Sequence, residues 1–378
     1  MIGRDSGQNI YLPDDFLADI INDANSTAKS ITTIYEKYIK SQNTIKKILK
    51  NASLIKKFQP KKPEKKFITI GIDGGRAHEH LLLFDIGIVS AIAIEGIQSH
   101  KKTDSIKFKS WKDIIPHYGS DIIVRVTKGI MHLFELELAI ESKADYVLLD
   151  GRFITPIIGF NSIATIQNPD VLIRLEKIFE NKNITRFLEQ IFTEKNVVAI
   201  QKYDSSHNFS NTYLENQDIY LDDRALFSLI LKENEYTKPV LLSSFPEENE
   251  LLSNAHINLT GNLFTKYTDI DELKSFLSRL PDELYVSYFK PRPWTPALKI
   301  EIPAHIAKSQ SKLDDLFQCI KSEIISAEMI EPFPLYLADI MAKSVSQGLS
   351  ALKEAAKSIV QNNKIKDPIM FFESYRSE

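Results

Sequence analysis

The chain has 378 residues, of which 43% are hydrophobic and 26% are charged, and its formal net charge is −3. This composition is typical of a globular protein with one large or two ordinary domains, and the charge provides no general basic field that would attract nucleic acid. The single cysteine, Cys319, excludes an intramolecular disulfide and a zinc site built from thiolates. The polar N-terminus is unlike a signal peptide and no apolar run approaches ~18 residues, so we expect no membrane association and a cytoplasmic location.

The N-terminal part of the chain predicts a helical arm. Residues 14–58 carry apolar residues at mixed spacings of three and four, with no internal glycine or proline. The second half is rich in lysine and runs into QPKKPEKK, where Pro60 and Pro63 end the helix. We therefore expect residues 1–66 to form a basic helical arm, whose lysines either lie in solvent or contact phosphates or a partner.

From Phe67 the pattern changes to that of a mixed α/β domain. FITIGID predicts a strand, and HEHLLLFDIGIVSAIAIEGI predicts two antiparallel strands that turn near residues 85–87. Further elements follow in this order: helix 121–144, strand DYVLLD, helical residues 170–194, strand NVVAI, helix 222–232, a short strand PVLLS, the paired strands ELYVSYFK and ALKIEIP, and terminal helices. This order favours a mixed sheet flanked by helices, in one elaborated domain over residues 67–378.

Two of the predicted strands end in Asp-Gly, at Asp73 and at Asp150. Carboxylates at the ends of buried strands lie at the edge of a sheet where α/β folds bind ligands. If the two strands are neighbours, the carboxylates repel each other unless a cation lies between them, and Mg²⁺ or Mn²⁺ prefers such oxygen ligands. Glycine after each aspartate would let a charged substrate backbone approach. The alternative is that each Asp-Gly is an ordinary turn.

Other charged residues could complete such a site. Glu135 and Glu137 lie on one predicted helix about 200° apart, so only one of them can face the cluster. Asp339 lies among apolar residues of a C-terminal helix, where it either joins a metal site or faces solvent. Lys202 follows strand NVVAI and could neutralise a phosphate. The chain has no phosphate-binding Gly-x-x-x-x-Gly-Lys-Ser/Thr loop and no Gly-x-Ser-x-Gly elbow.

Five motifs between about Phe67 and Ser346 resemble, in their order, those of the NurA nuclease family: IGIDGGRA, ELELAIES with DYVLLDGRF, VVAIQKYD, SYFKPRPWTPALKIEIP and PFPLYLADIMAKS. The resemblance implies an RNase H-like fold and a DNA nuclease, with exonuclease and single-strand endonuclease activity, that depends on Mn²⁺ or Mg²⁺. It also implies a hexameric ATPase partner, a DNA translocase of the HerA or FtsK type, in end resection or in antiphage defence.

The resemblance also implies roles for individual residues. Metal-binding or catalytic residues would be Asp73, Asp150, Lys202, Asp339 and the helix glutamate, which is Glu137 or Glu135. We expect further substrate contacts at Gly74, Gly75, Arg76, Arg152, Tyr288 and Lys299. The sequence departs from the family pattern at two positions, because Gly75 replaces the usual serine and Asp339 replaces a histidine that is frequent in archaeal members.

Two other functions remain open from the sequence. The first is a catalytically silent adaptor, which keeps the fold and binds the ATPase but does not bind manganese. The second is an actin-like phosphotransferase, which also places an Asp-Gly turn after its first strand, although no late glycine-rich adenosine loop is evident. The N-terminal arm and the long C-terminal helix offer additional apolar faces, so we expect a homodimer.

Overall fold

The computed structural model describes residues 14–60, 66–98, 106–116, 121–214, 221–256, 262–362 and 372. Ten strands in these residues form one sheet. The strands are β1 (Ile55–Lys57), β2 (Thr69–His80), β3 (Phe84–Glu95), β4 (Ile106–Pro116), β5 (Tyr146–Asp150), β6 (Val197–Gln201), β7 (Glu235–Thr237), β8 (Val240–Leu241), β9 (Leu284–Phe289) and β10 (Leu298–Pro303).

Helices cover both faces of this sheet. They are α1 (Asp14–Asn22), α2 (Ala24–Asn51), α3 (Ile122–Glu141), α4 (Ile154–Ala164), α5 (Pro169–Phe179), α6 (Ile184–Glu189), α7 (Asn208–Tyr213), α8 (Asp223–Ile230), α9 (Pro246–Ser253), α10 (Asn262–Thr265), α11 (Ile270–Glu283), α12 (Ala304–Ala307), α13 (Gln310–Ser322), α14 (Phe333–Lys343) and α15 (Val345–Asn362). A π-helical turn continues α6, and a 3-10 turn follows β8. No helix among the described residues is long and apolar enough to span a lipid bilayer.

The sheet is mixed, with the order β1-β7-β9-β10-β6-β5-β2-β3-β4 and β8 paired to β9. Strand β5 runs parallel to both β2 and β6, whereas β2, β3 and β4 form an antiparallel meander. Helix α3 packs on β2 and β3, and α14 also packs on these two strands. This arrangement confirms the predicted mixed α/β sheet flanked by helices.

Strand β5 shows why the central strands read as continuous apolar runs. Val147 and Leu149 belong to the core that contains α3 and α4, whereas Tyr146 and Leu148 belong to the core that contains α13. Because both faces are covered, every position before Asp150 is apolar and buried. The same arrangement brings the end of β5 to the centre of the sheet, beside β2 and β6.

The N-terminal arm differs from the single helix predicted over residues 14–58. It consists of α1 and α2, and the helix ends at Asn51, followed by Ser53 in the left-handed region with φ of 55°. Residues Ile55–Lys57 then pair with β7, and Phe58 is buried. This pairing and burial are long-range contacts that override the local helical pattern. Residues 1–13 and 61–65 of the arm, including Pro63, lie outside the described residues.

Strand β2 was predicted wrongly, and β4 and α4 are among the elements that were missed. Strand β2 does not end at Asp73 but continues to His80, paired with β3 along its whole length, so the turn lies at residues 81–83 and not at 85–87. Strand β4 was not predicted, because it is a largely exposed edge strand whose Phe108 is 69% exposed. Helix α4 was not predicted either, because its apolar residues surround the helix and show little periodicity.

Candidate active site

Three aspartates converge where the parallel part of the sheet ends. Asp73 lies on β2 directly after Ile72, the last residue of this strand that pairs with β5, and Asp150 is the last residue of β5. Asp339 reaches the same place from the middle of α14. One carboxylate oxygen from each aspartate lies within 4.8 Å of the other two. Among the described residues, no other group of acidic, histidine or cysteine side chains meets this criterion for a metal site.

Glu135, and not Glu137, is the helix glutamate that lies near this cluster. Its charge acts on the pKa of both Asp73 and Asp150. The Nδ1 atom of His132 lies 2.9 Å from Glu135 Oε2, so this carboxylate is held in place from its own helix. Glu137 faces away, toward Lys109 Nζ at 2.9 Å and toward Lys182. Of the two glutamates offered by the sequence, the structure therefore favours Glu135 for the metal site, because the carboxylate of Glu137 is paired with lysines elsewhere.

Lys202 lies in the centre of the acidic cluster. Its Nζ atom is 3.2 Å from Asp150, 3.2 Å from Glu331 and 3.5 Å from Asp339. Lys343 adds a second cation, at 2.7 Å from the other oxygen of Asp339. Glu331 was missed by the sequence analysis, because it lies in the loop before α14, where no periodicity marks a residue that faces the site.

The crowding of carboxylates perturbs their protonation. Burial, followed by the charges of Asp150 and Glu135, raises the pKa of Asp73 from 3.8 to about 8. Burial also raises the pKa of Asp150, although Lys202 opposes this effect. Burial acts to raise the pKa of Asp339 as well, but the hydrogen bond from Lys343 and the charge of Lys202 hold this pKa below its usual value. The cluster thus carries more negative charge than its two lysines offset, which is the condition that a bound cation relieves.

The chemistry of the donor set fits a hard divalent cation. Three carboxylates with mutually close oxygens, and a fourth beside them, match the ligands that Mg²⁺ and Mn²⁺ prefer. A cleft of about 440 Å³ opens beside the cluster and is lined by Asp150, Lys202 and Asp339, among others. A substrate phosphate could therefore reach the carboxylates and the lysine from one side.

Comparison with known proteins agrees with this geometry, since the NurA domain model matches residues 67–343. The chain belongs to the NurA family. It is similar in structure to the NurA nuclease from Sulfolobus solfataricus, with 15% identity, a TM-score of 0.60, and coverage of 93% of this chain and 98% of that chain. It is also similar to a NurA bound to dAMP and manganese, with 12% identity, a TM-score of 0.49, and coverage of 92% and 98%. No curated protein matches the chain.

Glycines of β2 allow α14 to approach the strand in this NurA protein. A Cβ atom at Gly71 would lie 2.4 Å from the carbonyl carbon of Pro334, and one at Gly75 would lie 2.0 Å from the carbonyl oxygen of Ala342. Both contacts are to the backbone of α14, which carries Asp339. The helix thus occupies the space at Gly75 that was predicted to open a path for a substrate. The serine that NurA motifs usually carry at this position would not fit here.

Gly74 faces the opposite side of β2. A Cβ atom there would lie 2.3 Å from Glu135 Oε1 and 2.5 Å from Met131 Cγ. The absence of a side chain at Gly74 leaves room for Glu135. The structure thus has the side chain of Glu135 where a substrate contact was predicted. Arg76 is exposed on the same strand, where its guanidinium donates to the carbonyl of Val124 at 3.3 Å.

Of the remaining predicted substrate contacts, two are buried and Arg152 is half-buried. Tyr288 and Lys299 are both buried, and both contact Asp204, with 2.8 Å between Lys299 Nζ and Asp204 Oδ1. Arg152 is bound by two carboxylates, at 2.8 Å from Glu301 and in contact with Glu248. In the structure each of these three side chains contacts a carboxylate of this chain, so their predicted contacts with substrate stay predictions. Sequence position placed them near strand ends but could not show these partners.

Proposed function

We propose that this NurA family member is a deoxyribonuclease that depends on Mn²⁺ or Mg²⁺ and hydrolyses phosphodiester bonds. The observation that carries the proposal is the convergence of Asp73, Asp150 and Asp339 within 4.8 Å, with Lys202 between them and an open cleft beside them. Two solved NurA structures contain manganese, and one of these also contains dAMP. The carboxylate oxygens of this chain suit the same class of metal.

Some residues of the site would bind metal and others would bind the substrate. Asp73, Asp150 and Asp339, with Glu135 beside them, would hold the divalent ions, which when bound polarise a phosphate and generate a nucleophilic water. Lys202 would bind the scissile phosphate. Burial acts to lower the pKa of Lys202, but the charges of Asp150 and Glu331 raise it above its usual value. This lysine therefore stays protonated at neutral pH and acts as a cation, not as a base.

The proton on Asp73 couples metal binding to pH. Because burial and the neighbouring carboxylates raise the pKa of its carboxyl to about 8, Asp73 retains its proton to a higher pH than an ordinary aspartate does. Ligands must lose their protons when they bind a metal, so metal affinity should rise with pH over this range. This coupling follows from the burial of Asp73 and from its neighbours Asp150 and Glu135.

The topology supports the finer proposal of an RNase H-like core. Strands β2, β3 and β4 form an antiparallel meander, and β5 and β6 add to the β2 side in parallel, which gives the order β4-β3-β2-β5-β6. Helix α3 connects β4 with β5 and supplies Glu135. We place this core in a nuclease domain over residues 67–378, preceded by the arm of residues 1–66, whose strand β1 joins the sheet at β7.

The proposal includes a partner, an oligomeric state and a location. The family resemblance favours a hexameric HerA-type or FtsK-type ATPase that delivers DNA. The net charge of −3 is consistent with this, because it gives the chain no general attraction for DNA. Exposed apolar residues on α2, such as Ile31, Ile34 and Tyr35, support a homodimer. We propose a cytoplasmic role in DNA end processing or in antiphage defence.

The experiment that tests the activity is cleavage of end-labelled linear duplex and single-stranded DNA with Mn²⁺, with Mg²⁺ or with EDTA. Asp150→Ala should abolish cleavage that depends on metal, whereas Asp314→Ala, which removes an acid from the exposed side of α13, should retain it. If the wild-type protein cleaves nothing, even with a cognate translocase and ATP, the nuclease proposal is wrong. The adaptor alternative then stands if the protein also fails to bind manganese.

A further inference from the structure

A second cleft adjoins the catalytic cleft. It has a volume of about 530 Å³, and Tyr203 and Arg224 line both clefts. Tyr203 directly follows Lys202, the cation of the acidic cluster, and Arg224 lies in the first turn of α8. The two clefts therefore form a continuous path that starts at the metal site and passes these two side chains.

The residues on both sides of Tyr203 form ionic contacts through their side chains. Lys202 is fixed by Asp150 and Glu331, as described above. Asp204 accepts from Lys299 Nζ at 2.8 Å and from the hydroxyl of Tyr288, and both of these partners are buried. The side chain of Tyr203, which lies between Lys202 and Asp204, is nevertheless 88% exposed. Tyr203 is thus an aromatic ring presented to solvent from a fixed segment of chain.

Arg224 supplies positive charge to the same path. Its Nε donates to the carbonyl of Ala297 at 3.4 Å, and no carboxylate of the described residues forms an ion pair with it. The acids that line the second cleft are already engaged, because Asp204 binds Lys299 and Asp222 caps α8 by accepting from the backbone N–H of Ala225. The guanidinium charge therefore remains available for a ligand.

We propose that Tyr203 and Arg224 form a subsite for single-stranded DNA next to the scissile phosphate. A base would stack on the ring of Tyr203, and a neighbouring backbone phosphate would pair with Arg224. Exposed aromatic rings combined with cations along a groove are the means by which proteins bind single strands without regard to sequence. The face of a base in a duplex is already stacked on its neighbours, so this subsite favours unpaired or frayed ends. The inference rests on the proposed nuclease function and assigns two residues that would contact its substrate.

Steady-state cleavage of a labelled single-stranded oligothymidylate with Mn²⁺ tests the subsite. Tyr203→Ala and Arg224→Gln should each raise KM about tenfold, with much smaller changes in kcat, because the contacts lie beside the reacting phosphate. Tyr203→Trp, which keeps a stacking face, should bind the oligonucleotide much more tightly than Tyr203→Ala. Arg224→Gln should also weaken the salt dependence of binding. Phe108→Ala is the matched control, since this ring is 69% exposed on the edge strand β4.

A binding measurement separates failure of the subsite from failure of the nuclease proposal. Oligonucleotides that carry 2-aminopurine at successive positions are titrated with the Asp150→Ala protein. The fluorescence of 2-aminopurine should be quenched at one position, and this quenching should be absent with the double variant that also carries Tyr203→Ala. If the wild-type protein cleaves DNA but both cleft variants keep the wild-type KM and the quenching, the subsite is wrong and the nuclease remains. If cleavage is absent throughout, the nuclease proposal fails, and the quenching alone decides whether the subsite binds single strands.

Discussion

Replacing Gly75 with alanine should disrupt the active site although this residue touches neither metal nor substrate. The new Cβ would lie 2.0 Å from the carbonyl oxygen of Ala342 and 2.6 Å from its carbonyl carbon. A carbon and an oxygen in ordinary contact are about 3.3 Å apart. Helix α14 must therefore move away from β2 by about 1.3 Å, since backbone on both sides cannot rotate out of the way.

This displacement should affect both stability and catalysis. Overpacking in a well-packed region lowers the free energy of unfolding by about 1–3 kcal/mol. Asp339 lies one turn before Ala342 on the same helix, so its carboxylate moves with the backbone. Metal–ligand distances tolerate changes of only about 0.2 Å, and a misplacement of about 1 Å can lower a rate roughly 100-fold. We expect Gly75→Ala to lose about two orders of magnitude in kcat with manganese.

Urea unfolding and metal-dependent cleavage measure the two effects separately. Gly348→Ala is a matched control, because a Cβ at this position of α15 would meet only Ile88 Cδ1 at 3.7 Å. The control should be more stable than wild type by up to about 1 kcal/mol, since alanine favours helix over glycine, and should retain activity. Wild-type stability and activity in Gly75→Ala would refute the view that β2 and α14 are held together by direct backbone contact.

Three further predictions follow from the surroundings of the cluster. Glu135→Gln should reduce cleavage strongly, whereas Glu137→Gln should leave cleavage nearly unchanged. Glu137→Gln should instead lower the free energy of unfolding by about 1–3 kcal/mol, because two lysines lose a charged partner. Activity and urea unfolding are measured for both variants, and equal activities would contradict the assignment of Glu135. His132→Ala should reduce manganese affinity or activity about 10- to 100-fold, since it releases the Glu135 carboxylate, and metal titration by calorimetry measures the loss. In the folded protein without metal the pKa of Asp73 is about 8, compared with 3.8 for an ordinary aspartate such as that of the unfolded chain. The contribution of Asp73 to the free energy of unfolding should therefore decrease as pH rises from about 4 to about 8. Thermal unfolding in EDTA should show a smaller decrease in Asp73→Asn, and an identical pH dependence in both proteins would contradict the raised pKa.

The sequence was most informative where burial on two faces leaves a local signature. The apolar runs before Asp73 and Asp150 predicted two buried strands, whose carboxylates would meet if the strands were neighbours, and β2 and β5 do pair in parallel. The amphipathic C-terminal segment predicted the helix that carries Asp339. Each strand and the helix depend on residues close together in the chain, so the pattern alone was sufficient to predict them, although it did not show that the two strands pair.

The rest depends on contacts between distant segments. The glycines after Asp73 suggested the end of a strand, but β3 pairs with β2 through all of them and keeps the backbone extended. Helical spacing showed that Glu135 and Glu137 face different directions, but only the positions of Lys109 and Lys182 show which one faces away. Glu331 lies in a loop without periodicity, and its role depends entirely on its distance from Lys202.

The carboxylates of the site come from nearly opposite ends of the described chain, with Asp73 on the first long strand and Asp339 on the penultimate helix. Proteins are made from the N-terminus, and early segments can fold before later ones leave the ribosome. A growing chain that has exposed β2 and β5 still lacks Asp339 and Glu331, and Gly71 and Gly75 have no helix to pack against. The order of synthesis thus delays assembly of the proposed DNA-cutting centre until α14 has emerged. We therefore expect chains that end before α14 to show no metal-dependent cleavage of DNA.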